Sequence, residues 1–354
     1  MKKNLMVVDD SALMRRVICD IIAQDSNFEV TVTCKNGQEA LERLRKESFD
    51  GVLLDINMPV MDGLQLLEAL QKEHIQSTII MVSTLTTKDA DVTIRAMELG
   101  ATEFITKPEN ISEARGREFA TNLLGIINAV ITTGNFRRSF VTPKPVSIAK
   151  PTPTASARTA RGSKLIALAS STGGPKSLQS VIPYLPANMD APMVLVQHMP
   201  AGFTASMAAR LDELSKVHVK EAQDGDVLQK GWVYVAPGGK HMRVTSAGGS
   251  HKIKLSDEPA IGGLRPCADV MYESLKDCGY NHVTCVVLTG MGADGTKGIN
   301  ALKSSGQSIY TIAQDKESCV VYGMPKAIAE SGVTDEVVSL DKVANSIIKN
   351  VGVN

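Results

Sequence analysis

The chain has 354 residues, which at roughly 150 residues per domain predicts two domains. Its 38 basic residues balance its 38 acidic residues, so no overall charge favours nucleic acid or a membrane surface as a partner. The first apolar segment is interrupted by Asp9 and Asp10, and no apolar run is long enough to cross a bilayer, so we expect neither a signal peptide nor membrane insertion. The six cysteines form no C-x-x-C pair, which predicts free buried thiols in a cytoplasmic protein.

In the first part of the chain, from Lys3 to about Ile131, short apolar segments alternate with helical patterns. The strand candidates are NLMVV, FEVTVT, GVLLD, TIIMVS and TEFIT. Five β-then-α units of this size predict a doubly wound, five-stranded parallel α/β domain of the flavodoxin type, assigned to residues 1–131. Its last helix is expected to begin at Ser112, a good N-cap residue.

The composition changes after this domain. Residues 134–163 hold four prolines and many small polar residues, with basic but no acidic side chains. Because such a segment cannot bury a core, we predict an extended basic linker over residues 132–162. A structured loop is the alternative.

A second α/β pattern occupies residues 163–354. KLIALAS, PMVLVQH, VTCVVLT and SIYTIAQ are continuous apolar runs, as expected for strands covered on both faces. They predict a second doubly wound, mostly parallel α/β domain. WVYVAP, MRVTS and KIKLS lie in a glycine-rich stretch and are more typical of hairpins.

Polar side chains follow the strands of the first domain, at the sheet edge where open α/β sheets form their sites. They are Asp9, Asp10, Asp55, Asn57, Ser83 and Lys107. Clustered carboxylates repel one another, and Mg²⁺ suits an all-oxygen site. A carboxylate beside such an ion, with a lysine and a hydroxyl nearby, could accept a phosphoryl group.

These residues carry a resemblance to the receiver domain of two-component response regulators. The resemblance implies Asp55 as the phospho-acceptor, supported by Ser83 and Lys107. It implies a magnesium site formed by Asp9, Asp10, Asp55 and the Asn57 carbonyl. Phe104 falls where the family keeps a switch aromatic, with ordinary core packing as the alternative.

The stretch ASSTGGP begins where the strand KLIALA ends, and its proline suits the first turn of a helix. A nucleophile on such a strand-to-helix turn needs small residues two positions before and after it. Ser171 is flanked in this way by Ala169 and Gly173, whereas the corresponding neighbours of Ser170 are bulkier. The pattern therefore favours Ser171 as the nucleophile, with helix capping as the alternative role.

Two further strand ends supply the partners that a nucleophilic serine needs. His198 follows PMVLVQ and is the first candidate base, with His241 as the second. Asp294 follows VTCVVLT and could orient the histidine. The chain order Ser, His, Asp differs from that of α/β-hydrolases.

The run GMGADG has a competing interpretation. Gly290, Gly292 and Gly295 spell G-x-G-x-x-G after a strand, and Asp315 follows about 20 residues later as a ribose-binding acid would. Against it, Asp294 would place a carboxylate in the phosphate cradle. A nicotinamide-dependent oxidoreductase remains an alternative.

The second domain resembles the catalytic domain of the chemotaxis protein-glutamate methylesterase (CheB) family. The matching runs are STGGP, QHMPAGFT, VYVAPGGKHM, RPCADV, LTGMGADG and CVVYGMP. The resemblance implies a triad of Ser171, His198 and Asp294, with oxyanion and supporting roles for Thr172 and Met291. Ala169-Ser170 stands where the family usually has Gly-Ala, and Cys267 is also unusual, with no catalytic role expected for it.

We therefore expect a phosphorylation-activated serine hydrolase that demethylates glutamate methyl esters on chemoreceptors and releases methanol in chemotaxis adaptation. The same chemistry with ammonia leaving would deamidate glutamines. The resemblance implies that the receiver masks the catalytic cleft until Asp55 is phosphorylated by a chemotaxis histidine kinase. Mg²⁺ is expected at the receiver and no cofactor for the esterase reaction, in a monomer that binds no nucleic acid. A receiver-linked binding protein with an inactive triad is the other alternative.

Overall fold

The structure, a computed structural model, describes residues 2–84, 87–108, 110–114, 116–132, 162–248 and 250–353. Most of the predicted linker, residues 133–161, lies outside the described residues. No helix in the described part of the chain is both long and apolar enough to cross a membrane.

The first α/β unit is built on a five-stranded sheet in the described residues. Its strands are β1 (Lys3–Val8), β2 (Phe28–Cys34), β3 (Gly51–Asp55), β4 (Ile79–Ser83) and β5 (Glu103–Thr106). Their order is β2-β1-β3-β4-β5 and every neighbouring pair is parallel. The first helices are α1 (Ala12–Ile22), α2 (Gly37–Leu44), α3 (Gly63–Lys72) and α4 (Thr87–Glu98). This confirms the predicted doubly wound five-stranded domain.

The end of this unit differs from the prediction. Instead of one helix beginning at Ser112, the structure has α5 (Ile111–Ala114) and α6 (Arg117–Thr132). The Asn110 side chain caps the first of them, because its Oδ1 accepts the Glu113 N–H at 2.9 Å. Asparagine and serine are about equally good N-caps, so the sequence pattern could not distinguish Asn110 from Ser112, and the prediction of Ser112 was wrong.

The second unit contains a seven-stranded sheet in the described residues. Its strands are β6 (Lys164–Ser170), β7 (Met193–Gln197), β8 (His218–Glu221), β9 (Trp232–Val235), β12 (His282–Val287), β13 (Ile309–Gln314) and β14 (Glu336–Val338), with β10 (His241–Ala247) and β11 (Ser250–Ser256) outside it. The order is β14-β13-β12-β6-β7-β9-β8, all parallel. The helices are α7 (Gly174–Gln179), α8 (Phe203–Leu214), α9 (Ala268–Glu273), α10 (Thr296–Ser304), α11 (Met324–Glu330) and α12 (Leu340–Val351). The predicted second α/β fold is confirmed.

One of the three expected hairpin strands belongs to the main sheet instead. MRVTS and KIKLS do pair, as the antiparallel ribbon of β10 and β11. WVYVAP forms β9, which lies between β7 and β8 in the parallel sheet. One of its partners, β7, lies more than 30 residues earlier in the chain. The local sequence pattern therefore could not distinguish a strand of the parallel sheet from a strand of a hairpin.

The receiver-like unit packs against the carboxyl edge of the second sheet. Helix α4 lies on α8, where Arg210 Nε donates to Glu98 Oε1 at 2.5 Å. Beside this pair the rings of Phe104 and Phe203 stack with centroids 4.9 Å apart. Ser171 and His198, which follow the ends of β6 and β7, line a cavity together with β5 of the first unit.

Candidate active site and phospho-acceptor site

Ser171 lies on a tight turn between β6 and α7. Gly173 has φ 76°, and a Cβ built on it would come within 2.2 Å of the Val320 Cγ2 atom. The Ser171 carbonyl accepts the Gly174 N–H at 2.7 Å and the Gln197 side-chain amide at 2.9 Å. The turn therefore requires glycine at position 173, two residues after Ser171, and it holds Ser171 at the edge of the sheet.

Ser170 is packed below this turn. It is fully buried and its hydroxyl donates to Gln197 Oε1 at 2.6 Å. Its carbonyl accepts the His198 N–H at 3.1 Å, which ties the end of β6 to the end of β7. Since Ser171 is partly exposed and Ser170 is not, the geometry favours Ser171 as the nucleophile.

His198, which lines the same cavity as Ser171, forms a close pair with Asp294. The His198 Nε2 atom lies 2.7 Å from Asp294 Oδ2. Burial would raise the pKa of Asp294, but the His198 hydrogen bond and charge, with backbone N–H groups, lower it to about 2. Asp294 is therefore a carboxylate at neutral pH, and the His198 Nδ1 atom is left to accept a proton.

The start of helix α9 holds the other side of the Asp294 carboxylate. The Ala268 N–H donates to Oδ2 at 2.6 Å, and the Asp269 N–H donates to Oδ1 at 3.0 Å. The Cys267 thiol lies 3.1 Å from the same Oδ1. This contact was not predicted from the sequence, where Cys267 was expected to have no catalytic role. The only signal was the position of RPCADV at a helix start, where backbone donors are free.

The oxyanion candidates are also placed at this edge. In the described part of the chain, neither the Thr172 nor the Met291 backbone N–H has a hydrogen-bond partner. The described residues likewise include no hydrogen bond between the Ser171 hydroxyl and the His198 ring. Such contacts commonly form only when substrate is bound.

His241, the second candidate base, is not part of this arrangement. It is fully buried at the start of β10, and its Nε2 atom lies 3.1 Å from the Pro259 carbonyl. His198 lines the cavity that contains Ser171, whereas His241 does not.

The glycines of GMGADG serve close packing of the chain. A Cβ on Gly290 would lie 2.3 Å from Met324 Sδ and 2.8 Å from Ser171 Cβ. The Gly295 N–H donates to two carboxylates, at 2.9 Å to Asp269 and 3.0 Å to Asp294. This leaves little of the motif for a pyrophosphate.

The predicted ribose acid is also engaged elsewhere. Asp315 Oδ1 accepts the Ser318 N–H at 3.0 Å and the Ser318 hydroxyl at 2.5 Å. These local bonds shape the loop after β13, and they give no support to the dinucleotide interpretation.

The first sheet brings a second set of predicted residues together. Lys107 Nζ lies 2.7 Å from both Asp9 Oδ2 and Asp55 Oδ2. Carboxylate oxygens of Asp9, Asp10 and Asp55 all lie within 4.8 Å of one another. Burial raises the pKa of Asp55 to about 6, with Asp9 adding to the rise and Lys107 opposing it. One lysine does not balance three carboxylates, so this donor set fits a divalent cation.

Ser83 and Asn57, the other predicted residues of this site, are hydrogen-bonded to neighbouring side chains. The buried Ser83 hydroxyl accepts from the Thr93 hydroxyl at 3.0 Å. The Asn57 side chain donates to Asp89 Oδ1 at 3.0 Å. The backbone carbonyl of Asn57 is the group that the resemblance assigns to the metal. Among the described residues, neither side chain is hydrogen-bonded to Asp55.

Ser171 faces a cavity of about 380 Å³ whose opposite wall is the receiver-like unit. It is lined on one side by residues 103–106 of β5 and on the other by Ser171, Thr172, His198 and Met291, among others. The Glu103 carboxylate accepts the Gly173 N–H at 2.7 Å, directly beside the nucleophile. Burial raises the pKa of Glu103 to about 7, while the N–H groups of Phe104 and Gly173 oppose that rise.

Glu103 and Phe203 were not predicted from the sequence as residues that join the two units. Phe104, for which a switch role and core packing were both open, stacks on Phe203 of the other unit. Neither contact has a local sequence signal, because each joins residues about 70 or 100 positions apart.

Comparison with known proteins also assigns different families to the two units. Residues 166–347 match the CheB methylesterase family and residues 5–117 match the response regulator receiver domain. A protein-glutamate methylesterase/protein-glutamine glutaminase of Geobacillus kaustophilus is 40% identical over 350 residues, covering 99% of each chain. A protein of the same name from Pyrococcus abyssi is 41% identical, covering 99% of this chain and 94% of its own.

A solved structure adds to the comparison. The catalytic domain of the Thermotoga maritima CheB methylesterase is 44% identical, with a TM-score of 0.51, covering 53% of this chain and 98% of its own. The chain described here belongs to the CheB family, in which a response regulator receiver domain is joined to a methylesterase domain.

Proposed function

We propose that this chain is a protein-glutamate methylesterase whose nucleophile is Ser171. The observation that carries the proposal is the His198–Asp294 pair, 2.7 Å apart, at the same sheet edge as the glycine-bounded turn that presents Ser171. A lone serine at a helix start would be explained by capping, but a serine beside an oriented histidine has the parts of an acyl-transfer site.

The reaction follows from these positions. His198 Nδ1 takes the Ser171 proton while Oγ bonds to the side-chain carbonyl carbon of a methylated glutamate. The C–OCH₃ bond then breaks, and His198 returns the proton to the leaving methoxide, which departs as methanol. Water attacks the acyl enzyme by the same route, leaving a glutamate carboxylate and restoring Ser171. With ammonia as the leaving group, the same steps convert glutamine to glutamate.

The negative charge that forms on the carbonyl oxygen needs donors. The free N–H groups of Thr172 and Met291 are the proposed donors, since both residues line the cavity with Ser171. Two backbone donors of this kind need no reorganisation during the reaction, which is why they stabilise the transition state.

Replacing the nucleophile tests the proposal directly. We expect Ser171→Ala to lower methanol release from methylated chemoreceptors by about 10³-fold or more, because no other group can form the acyl enzyme. Labelling with a serine-reactive phosphonate should mark the wild type and not the variant. Turnover retained in Ser171→Ala would refute the assignment, and unlabelled wild type would favour the inactive-triad alternative.

The receiver is proposed to accept a phosphoryl group on Asp55 from a chemotaxis histidine kinase. Asp9, Asp10, Asp55 and the Asn57 carbonyl would hold Mg²⁺, supported by the close approach of the three carboxylates. The ion would neutralise charge on the transferred oxygens. Lys107, already paired with Asp55, and Ser83 are the proposed ligands of the phosphoryl group.

Phosphorylation is proposed to relieve masking of the active site. The support is the cavity wall formed by β5, with Glu103 on the Gly173 N–H and Phe104 on Phe203. A phosphoryl group must favour the undocked arrangement differentially, and a shift of roughly a few kcal/mol is sufficient. Methanol release with and without acetyl phosphate tests this, and an unchanged rate would contradict it.

The domain limits, partners and location are part of the same proposal. The limits are a receiver over residues 1–131, a linker over 132–162 and a catalytic domain over 163–354. The substrate is a methyl-accepting chemoreceptor and the protein works as a monomer. A cytoplasmic location suits a kinase-fed receiver and the free state of all six cysteines.

A further inference from the structure

The Asp294 carboxylate accepts more hydrogen bonds than its role towards His198 requires. The donors are His198 Nε2 at 2.7 Å and Ala268 N at 2.6 Å on Oδ2, and Cys267 Sγ at 3.1 Å, Asp269 N at 3.0 Å and Gly295 N at 3.0 Å on Oδ1. Three of the five are backbone groups that no substitution can remove simply. Among the residues that the structure describes, Cys267 is the one side-chain donor to Oδ1, the oxygen that does not bind the histidine.

The Cys267 sulfur must act as a donor in this position. The residue is 2% exposed, and burial together with the Asp294 charge raises the pKa of its thiol to about 12. The group is therefore a neutral S–H at neutral pH. A thiolate 3.1 Å from a carboxylate oxygen would be strongly repelled in a site without a cation.

The hydrogen bonds around the cluster argue against a metal site as its purpose. Cys267, Asp269 and Asp294 are close enough to share an ion, but Asp269 Oδ1 already accepts the N–H groups of Gly295 at 2.9 Å and Gly298 at 2.7 Å. Both Asp294 oxygens and Asp269 Oδ1 thus accept hydrogen bonds from within the protein, and a metal would also need the thiolate. The arrangement is a hydrogen-bond network around one carboxylate.

We propose that Cys267 is a positioning residue for the ester hydrolysis, which acts by donating its S–H to Asp294 Oδ1. The bond locks the carboxylate plane so that Oδ2 stays on the His198 Nε2–H. It also withdraws negative charge from the carboxylate, which sets how strongly Asp294 stabilises the protonated histidine. The proposal rests on the triad proposed above, and it assigns Cys267 no contact with substrate.

Two substitutions of Cys267 change the donor in opposite directions, which makes the proposal testable. Cys267→Ala removes the donor, so Asp294 carries more charge and holds a proton on His198 more strongly. Cys267→Ser supplies a hydroxyl, which is a stronger donor than a thiol and withdraws more charge. The acid limb of the kcat/KM profile for methanol release should therefore move to higher pH in the alanine variant and to lower pH in the serine variant.

We expect Cys267→Ala to lower kcat about three- to tenfold with little change in KM, as for the loss of one hydrogen bond of ordinary strength, because a thiol is a weak donor. Cys267→Ser should keep kcat within about threefold of the wild type on the same ground. Every variant carries the same receiver, so differences between profiles isolate the catalytic domain.

Cys278→Ala is the matched control. Cys278 is also buried in this domain, and its thiol donates to the Val244 carbonyl at 3.1 Å, away from the triad. It should lose thermal stability as Cys267→Ala does while leaving the acid limb in place. Shifts of the acid limb in opposite directions for alanine and serine would support the proposal.

Two results would overturn it. One is an unchanged pH profile and kcat in both Cys267 variants. The other is an equal loss of kcat in alanine, serine and Cys278 variants, which would indicate packing alone. Retained turnover in Ser171→Ala would instead refute the triad itself, so the two failures can be told apart.

Discussion

Asp55 and Asp294 occupy equivalent places in two different sheets, yet their surroundings prepare them for opposite tasks. Each lies at or after the carboxyl end of a parallel strand, next to a point where the strand order reverses. Burial raises the pKa of Asp55 to about 6, and the neighbouring Asp9 adds to the rise. The same penalty acts on Asp294, but His198 and several N–H groups lower its pKa to about 2.

The difference shows that partners, and not burial, decide what a buried carboxylate can do. Asp294 is surrounded by donors, so it stays charged and orients its histidine. Asp55 shares one lysine with another carboxylate, so its charge is only partly compensated. A group in that state gains from a divalent cation and can serve as an acceptor.

The largest test of this comparison removes the charge at Asp294. We expect Asp294→Asn to lower kcat for methanol release by about 10³- to 10⁴-fold, because the amide would favour the wrong histidine tautomer. The substitution keeps the size of the side chain, so folding can be checked by circular dichroism. A loss below about tenfold would mean that the carboxylate is not the orienting group.

The same isosteric change at Asp55 should affect regulation and not the basal reaction. Asp55→Asn should leave the basal rate of the unphosphorylated protein within about threefold and remove all stimulation by acetyl phosphate. The wild type is expected to be stimulated about tenfold or more under the same conditions. Stimulation retained in the variant would show that another residue accepts the phosphoryl group.

A third carboxylate, Glu103, connects the two regions and should make the masking depend on pH. The pKa of Glu103 is raised from 4.5 to about 7 in the docked arrangement. The docked state therefore binds a proton more tightly than the undocked state. Docking is strongest at acid pH, where Glu103 is protonated in both states, and weakens as pH rises through about 7.

Glu103→Gln tests this, because glutamine stays neutral at every pH. We expect its basal rate to be about three- to tenfold below that of the wild type at pH 8, and the ratio to approach one only below pH 4.5, where Glu103 is protonated in both states. Acetyl phosphate should reduce the difference, since it releases the receiver in both proteins. A ratio that does not vary with pH would mean that Glu103 does not contribute to docking through its charge.

The smallest expected effect is at Ser170. Its hydroxyl is bound to Gln197 in the interior, so Ser170→Ala should cost stability of about 1 kcal/mol and leave kcat within about threefold. Thermal unfolding and methanol release measure the two quantities. A loss of turnover as large as that of Ser171→Ala would contradict the assignment of the nucleophile.

Much of this protein was accessible from its sequence because the signals are local. Continuous apolar strands such as KLIALAS, each followed by a polar residue, predict both the parallel sheets and the edge where Ser171, His198 and Asp294 come together. The small residues two positions before and after Ser171 identified it, and not Ser170, as the predicted nucleophile. This signal is also local, because a nucleophile elbow spans five residues.

Only the tertiary structure decided which distant groups meet. The sequence placed WVYVAP in a hairpin, and it took the partners β7 and β8 to make it a central parallel strand. The contact of the Cys267 thiol with Asp294 and that of Glu103 with Gly173 join segments 27 and 70 residues apart. Hydrogen bonds across such distances depend on how helices and domains pack, and no periodicity or capping rule in one segment contains that information.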